Sequence, residues 1–340
     1  FFNDKWVLRH TSGYLGFDVE VDNNLAHFGS ENVIAIRVDA SFGSGHWYEG
    51  GGIQRRTYLQ HTKQARFIND GLFTQTEPST VTSILATIVP TAEVVGGAVV
   101  SVRWTMYDGA SGGSITSAIT PTHVSGHSPT IVKGVTLSVD SPKLWSIRTP
   151  TLYILSAELM CDGDVIDNVN TTIGFRSIDW STNGFKLNEH PVHIRGFSHH
   201  SDFGAVGGAV PDRINLFRAN ALRSVGGNTW RCSHNPYRPA VYDILDAVGV
   251  LVWDENRDFN QNNVRDMESL VRRDRNHPSV VIWSACNEIE CYLTGPANVT
   301  GKLMHDATKK WDTTRPFSAN LNQLTDAMAN ATKNYLGTYM

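Results

Sequence analysis

The sequence has no run of about 18 apolar residues, so no membrane-spanning helix is predicted. It has no excess of positive charge: 29 Lys and Arg stand against 33 Asp and Glu, a formal net charge of −4. The electrostatic footprint of a nucleic-acid binder or of an anionic-membrane binder is therefore missing. Only four cysteines, Cys161, Cys232, Cys286 and Cys291, occur in 340 residues. They are too few for a disulfide framework, their spacing is not that of a zinc site, and they read as free thiols. No glycine-rich phosphate fingerprint follows a strand candidate, which weighs against a dinucleotide-binding sheet. The sequence opens on Phe1-Phe2-Asn3-Asp4, without an initiator Met or a signal peptide, so its start is expected to have been processed away or to be missing. Sequons at Asn170, Asn298 and Asn330 arise by chance too often to assign a compartment.

What is present is a globular composition, 41% hydrophobic and 18% charged, long enough for two or three domains. Composition changes twice along it. Residues 1–76 are rich in Gly and aromatics, with Val33–Val38 as a strand candidate. Residues 77–176 are rich in Thr, Ser and Val, with strand-like runs at Ala98–Trp104 and Leu152–Leu159. Gly, Ser and Pro punctuate them, as in a small antiparallel sandwich. From residue 177 strands and helices alternate. Strands are expected at Val192–Gly196, from Asn228 to Arg231, at Val250–Trp253 and at Val280–Trp283. Helices are expected over Pro211–Val225, over Val241–Val248 closed by Gly249, and from Val264 through Val271. Short, mostly apolar strands separated by helices indicate a parallel sheet buried on both faces, in an α/β barrel or a doubly wound sheet.

Polar residues follow each of these strands. The first leads to His199, His200 and Asp202; the second to Arg231-Cys232-Ser233-His234-Asn235; the third to Asp254-Glu255-Asn256; the fourth to Asn287-Glu288. In a β/α barrel these carboxyl ends converge on the rim that holds active sites. Imidazoles, a guanidinium and carboxylates around one cavity suit sugar chemistry, where hydroxyls need hydrogen bonds and a glycosidic oxygen needs a proton donor. Asp254 reads as structural, Glu255 as a carboxylate behind the site or within the barrel wall, and His199 as either a solvated loop histidine or a site residue.

Five segments carry a family resemblance. Arg272-Arg273-Asp274-Arg275-Asn276-His277-Pro278-Ser279-Val280-Val281-Ile282-Trp283-Ser284, ending in Asn287-Glu288, resembles the signature of glycoside hydrolase family 2, the β-galactosidase and β-glucuronidase family. Arg231–Pro236 is similar to its second block, and Gly196–His200 to its first barrel strand. Trp47–Arg55 resembles the end of its sugar-binding jelly roll, and Pro142–Ser146 through Tyr153 its immunoglobulin-like sandwich. The resemblance implies a partial jelly roll (1–76), an immunoglobulin-like sandwich (77–176) and a partial (β/α)8 TIM barrel (177–340). It implies a retaining, exo-acting hydrolase of terminal β-D-galactosides, with a β-glucuronidase or another exo-β-glycosidase as the rival within the class. A non-catalytic carbohydrate-binding protein is the rival outside it.

Residue by residue, the resemblance makes Glu288 the general acid/base and Asn287 the partner of the sugar's 2-hydroxyl. His200, His234 and Asp202 become substrate contacts, and Arg231 the residue that orients the nucleophile. Three departures stand out. The family's nucleophilic Glu belongs to the seventh barrel strand, and no counterpart is found in this chain, which reads as an internal fragment of a longer enzyme. Cys286 stands where the family usually has Gly. Arg257-Asp258-Phe259 occupies the stretch where magnesium-dependent members place a Glu and a His, so no metal and no other cofactor is expected. A carbohydrate is the expected partner; nucleic acid and membrane are not, and homo-oligomerisation is left open.

Overall fold

The computed structural model describes residues 1–41, 51–75, 81–124, 126, 128–288 and 296–320. The first four residues of Trp47–Arg55, together with Cys291 and Asn330, lie outside the described residues. Over the described part of 1–65 the backbone pairs only in isolated bridges, Phe2 with Ile34 and Phe2 with Lys5. The strand expected at Val33–Val38 is not formed. Val33, Ile34, Ile36 and Val38 are all exposed, so their apolar character has no sheet to bury it.

The next region is an antiparallel sandwich. Its first sheet is built on β3 (Leu85–Val95), which pairs with β1 (Arg66–Phe67), β2 (Phe73–Gln75), β6 (Thr130–Lys133) and β7 (Leu137–Asp140). By this pairing, β1 and β2 belong to the sandwich although they precede residue 76. The second sheet runs in the order β5 (Ser114–Val124), β4 (Ala98–Asp108), β8 (Tyr153–Cys161), β9 (Asp164–Ile173). Side chains alternate across each strand. In β4 this turns Val100, Val102, Trp104 and Met106 inward, where they meet Ile88 and Val94 of the facing sheet and Leu155 beside them. Three short strands follow, β10 (Ile178–Ser181), β11 (Gly184–Leu187) and β12 (His190–Pro191). Ile178, Phe185 and Leu187 pack on Leu251, Val281 and Ile282, near the starting ends of two strands of the next sheet.

That sheet is parallel and ordered as in the sequence: β13 (Gly196–His200), β14 (Thr229–Ser233), β15 (Leu251–Glu255), β16 (Val280–Asn287) and β17 (Phe317–Asn320). The first strand lies about one strand-length later than expected, so His199 and His200 stand within it rather than after it. The connections are α1 (Asp212–Ser224), α2 (Pro239–Val248), α3 (Val264–Asp274) and α4 (Pro296–Trp311). Their ends follow the expected signals. Pro211 precedes α1, Pro239 opens α2, and Gly249 closes α2 with φ 75°, a left-handed position that glycine takes without strain. Trp230, Val252 and Val280 from the strands, Leu245 from α2 and Leu270 from α3 share one core. Among the described residues the result is five consecutive parallel strands joined by four helices, as in a β/α barrel wall.

The segment Arg272–Ser279 locks the sandwich to this wall. The Asn276 side chain accepts a hydrogen bond from Thr74 N (3.1 Å) and donates one to Leu72 O (2.8 Å). Arg272 pairs with Glu93 at 2.7 Å. Arg176 of the sandwich end donates to Pro278 O and to Val280 O. Trp145 Nε1 donates to Asp246 O at 2.9 Å, and the carboxylate of Asp246 binds His277 Nδ1 (2.6 Å) and Ser279 N (2.9 Å).

Candidate active site

The carboxyl ends of the five parallel strands carry one connected polar network with Glu255 at its centre. Glu255 is wholly buried. Its Oε2 accepts from Arg231 Nε (3.0 Å), Arg231 Nη2 (2.7 Å), Ser284 Oγ (3.2 Å) and Asn320 Nδ2 (2.7 Å), and its Oε1 receives His234 Nδ1 at 2.7 Å. A buried carboxylate is tolerated only when it is paired and hydrogen-bonded, and here both conditions are met. His234 Nδ1 also lies 3.2 Å from Arg231 Nη2, so the imidazole is held between the carboxylate and the guanidinium.

Arg231 carries the network sideways. Its Nη1 donates to Ser198 Oγ on β13 at 3.1 Å, and its Nη2 donates to Asn287 Oδ1 on β16 at 2.7 Å. Ser198, Arg231, Glu255, Ser284, Asn287 and Asn320 thus tie all five strands together at one level. A guanidinium has five N–H donors. Two go to Glu255, one to Asn287 and one to Ser198, leaving one N–H on Nη1. A guanidinium cannot accept, so the bond to Oδ1 fixes the Asn287 amide and turns its NH2 away as a donor.

Glu288 follows directly. Its side chain is exposed, its N–H donates to Asn320 O at 2.6 Å, and its φ is 59°. A left-handed backbone is uncommon for a residue other than glycine and costs on the order of 1–3 kcal/mol, which the surrounding bonds must hold in place. His200 lies edge-on to His234, with ring centroids 5.3 Å apart. Burial, and then the neighbouring His234, hold the pKa of His200 below the usual imidazole value. Asp202 is half-buried beside it.

Two sequence-derived candidates are placed elsewhere. His199 faces the helix side of β13, stacked on Trp230 with centroids 3.6 Å apart and reached by Arg218. Burial lowers its pKa to about 4, and it is no part of the rim. Asp254 also faces outward and accepts from Tyr242 OH at 2.7 Å, its carboxyl raised well above the usual range by burial and by Asp274; its role is structural, as expected. Cys161 and Cys232 are not disulfide-bonded. Cys286 is disulfide-bonded and almost wholly buried, which corrects its reading as a free thiol. Sequence reasoning missed Ser198, Ser284 and Asn320. Among the described residues no group of three or more His, Cys, Asp or Glu could hold a metal ion, and no helix is long and apolar enough to cross a membrane. In the Arg257 stretch, the guanidinium lies over the Tyr14 ring, 5.7 Å from its centroid.

Comparison with known proteins gives a consistent picture. The profile described as Glycosyl hydrolases family 2 matches residues 67–176, and that described as Glycosyl hydrolases family 2, TIM barrel domain, matches 180–262 and 256–339. Beta-galactosidase BoGH2A of Bacteroides ovatus is 32% identical over 300 residues, 82% of this chain and 34% of that protein. A putative beta-glucuronidase of Formosa agariphila is 31% identical over 305 residues, 84% of this chain and 28% of its own. This chain therefore spans about a third of the length of these relatives. A solved glycosyl hydrolase family 2 member from Bacteroides cellulosilyticus superimposes with a TM-score of 0.92 at 31% identity, covering 98% of this chain and 45% of that one. A beta-glycosidase from Bacteroides vulgatus gives 0.74 at 27% identity, with 88% and 41% covered.

Proposed function

The chain belongs to glycosyl hydrolase family 2, and from that membership we propose that it carries the acid/base half of a retaining, exo-acting β-galactosidase site. The observation that carries this reading is the pair Asn287-Glu288 at the end of β16. An exposed carboxyl group stands next to an amide whose donor face is fixed by Arg231.

In the proposed reaction Glu288 gives its proton to the glycosidic oxygen while a second carboxylate attacks the anomeric carbon. Glu288 then takes a proton from the water that releases the sugar. A retaining mechanism needs the two carboxyl groups about 5–5.5 Å apart. Glu255 does not fit the second role, since it is wholly buried and receives five donors. The nucleophile is assigned to a strand outside the five described, and the N–H remaining on Arg231 Nη1 suits a contact with it. Asn287 Nδ2 donates to the sugar's 2-hydroxyl oxygen, and His200, His234 and Asp202 meet further hydroxyls. No metal takes part in this scheme. The partner is a carbohydrate with a terminal β-linked sugar, and β-galactoside is preferred because the segments around the rim are worded most like β-galactosidases.

The test uses a polypeptide in which the barrel is complete. Nitrophenyl β-galactoside should be hydrolysed, with β-galactose as the first anomer seen by NMR. A second reading, β-glucuronidase, is favoured by the name of the Formosa relative, and faster turnover of the β-glucuronide selects it. Sugar binding with no turnover of any β-glycoside contradicts both and leaves a non-catalytic lectin-like role.

A further inference from the structure

We propose that Glu255 is the positioning residue through which this site recognises the sugar's 2-hydroxyl, although it never touches the sugar. The inference rests on the glycosidase reading above and deepens it. A carboxylate that only closed the barrel wall would need neighbours but no particular ones. Those of Glu255 are selective. Its bonds to Arg231 Nε and Nη2 fix the guanidinium plane, and the same Nη2 reaches Asn287 Oδ1. The relay from Glu255 through Arg231 to Asn287 decides which end of the Asn287 amide faces the ligand. The oxygen is taken by the guanidinium, so the NH2 is presented. On its other side Glu255 holds the His234 ring through a 2.7 Å contact to Nδ1. Asn320 reinforces the arrangement, donating to Glu255 from its side chain while its carbonyl holds the N–H of Glu288. One buried charge therefore orients a 2-hydroxyl donor, an imidazole and the acid/base backbone together.

Replacing Glu255 by Gln keeps the volume and removes the charge. Arg231 loses its counter-ion, and the new amide NH2 confronts groups that are themselves donors. The guanidinium is then free to turn toward another carboxylate, and the Asn287 amide loses its fixed orientation. The loss should fall on the contact with the 2-hydroxyl, an interaction that strengthens in the transition state of glycoside hydrolysis.

The experiment compares kcat/KM for a nitrophenyl β-glycoside and for its 2-deoxy counterpart, in the enzyme with its barrel complete. The ratio of the two constants is taken for wild type, Glu255→Gln and Glu255→Asp. Intrinsic reactivity differences between the substrates cancel in this comparison. The expected result is a ratio at least ten-fold smaller in Glu255→Gln. Glu255→Asp, which keeps the charge if the isosteric variant does not fold, should give a ratio between the two. A ratio unchanged in the folded variants, whether or not both rates fall together, overturns the proposal, because a merely structural carboxylate lowers both rates alike. Wild type with no turnover of either substrate removes the glycosidase reading and this proposal with it, whereas wild-type turnover with an unchanged ratio removes the Glu255 assignment alone.

Discussion

Asn287 shows how one hydrogen bond defines a residue's chemistry. Its oxygen is committed to Arg231, so it can serve a sugar only as a donor. Asn287→Asp would set a second acceptor in that place, and Asn287→Ala removes the contact. Hydrogen bonds to the 2-hydroxyl supply several kcal/mol in such transition states, so Asn287→Ala should lower kcat/KM by roughly two orders of magnitude. Steady-state rates on a β-galactoside check this, and a loss under three-fold would remove Asn287 from the site. Arg231, His234, Asn287 and Glu288 were legible in the sequence because each sits in a distinctive run just past an apolar strand. Glu255 was legible as a carboxylate behind the site or within the barrel wall, but choosing between the two needed the strand's pleat, which sends Asp254 to the helices and Glu255 to the rim. Ser284 and Asn320 were invisible for a different reason. A serine in a strand, or an asparagine ending the four-residue β17, carries no pattern until its neighbours are known. The disulfide at Cys286 was missed because a cysteine count says nothing about which thiols meet.

At the level of elements, the family signature is chiefly a joint. Arg272, Asn276 and the carbonyl of Pro278 face the sandwich, while Val280–Asn287 runs on into the strand that ends at Glu288. Gly174 lies at the tightest point, where an added Cβ would meet the side chains of Pro278 and Trp145 at 2.8 Å. Gly174→Ala should therefore destabilise the fold by about 1–3 kcal/mol through overpacking, read as a lower urea midpoint. An unchanged midpoint would mean that the joint yields. The His277–Asp246 pair in the same joint makes a prediction about pH. Burial alone would depress the imidazole, but the charge and hydrogen bond of Asp246, with Asp274 and Asp243, outweigh it and raise the pKa from 6.5 to about 9. The folded-state value exceeds the unfolded one, so the contribution is fully present below pH 6.5 and is lost as pH rises through about 9. Its size is on the order of 3 kcal/mol. Chemical unfolding from pH 6 to 9.5 should show this decline in wild type and a flatter curve in His277→Gln. Parallel curves would contradict the assignment. Helix ends were legible because Pro and Gly mark them. The Val33–Val38 strand was not, because β-propensity yields a strand only where a partner edge exists.

Among the described residues the parallel sheet has five strands and therefore two edges. β13 lies at one, and Phe197, Phe217 and Val225 are exposed on its side of the sheet. An open parallel sheet with apolar side chains along its rim invites association through its unpaired backbone. A polypeptide consisting of these 340 residues alone should thus be poorly soluble. It should also hydrolyse no nitrophenyl glycoside, since Glu255 cannot serve as partner to Glu288. Sustained turnover by that purified polypeptide, surviving a contamination control, would show that a nucleophile had been overlooked. The fold class was legible here because the change from Thr- and Val-rich runs to alternating strands and helices is a long-range signal. The central claim concerns Glu288, and its most direct test is Glu288→Gln in the enzyme with its barrel complete, assayed over glycosides of graded leaving-group pKa, with and without azide. If Glu288 is the general acid/base, the loss is about 10²–10⁴-fold for poor leaving groups, shrinks for a dinitrophenyl glycoside, and is relieved by azide with formation of the β-glycosyl azide. A leaving-group dependence equal to wild type, with no azide product from a well-folded variant, would contradict it.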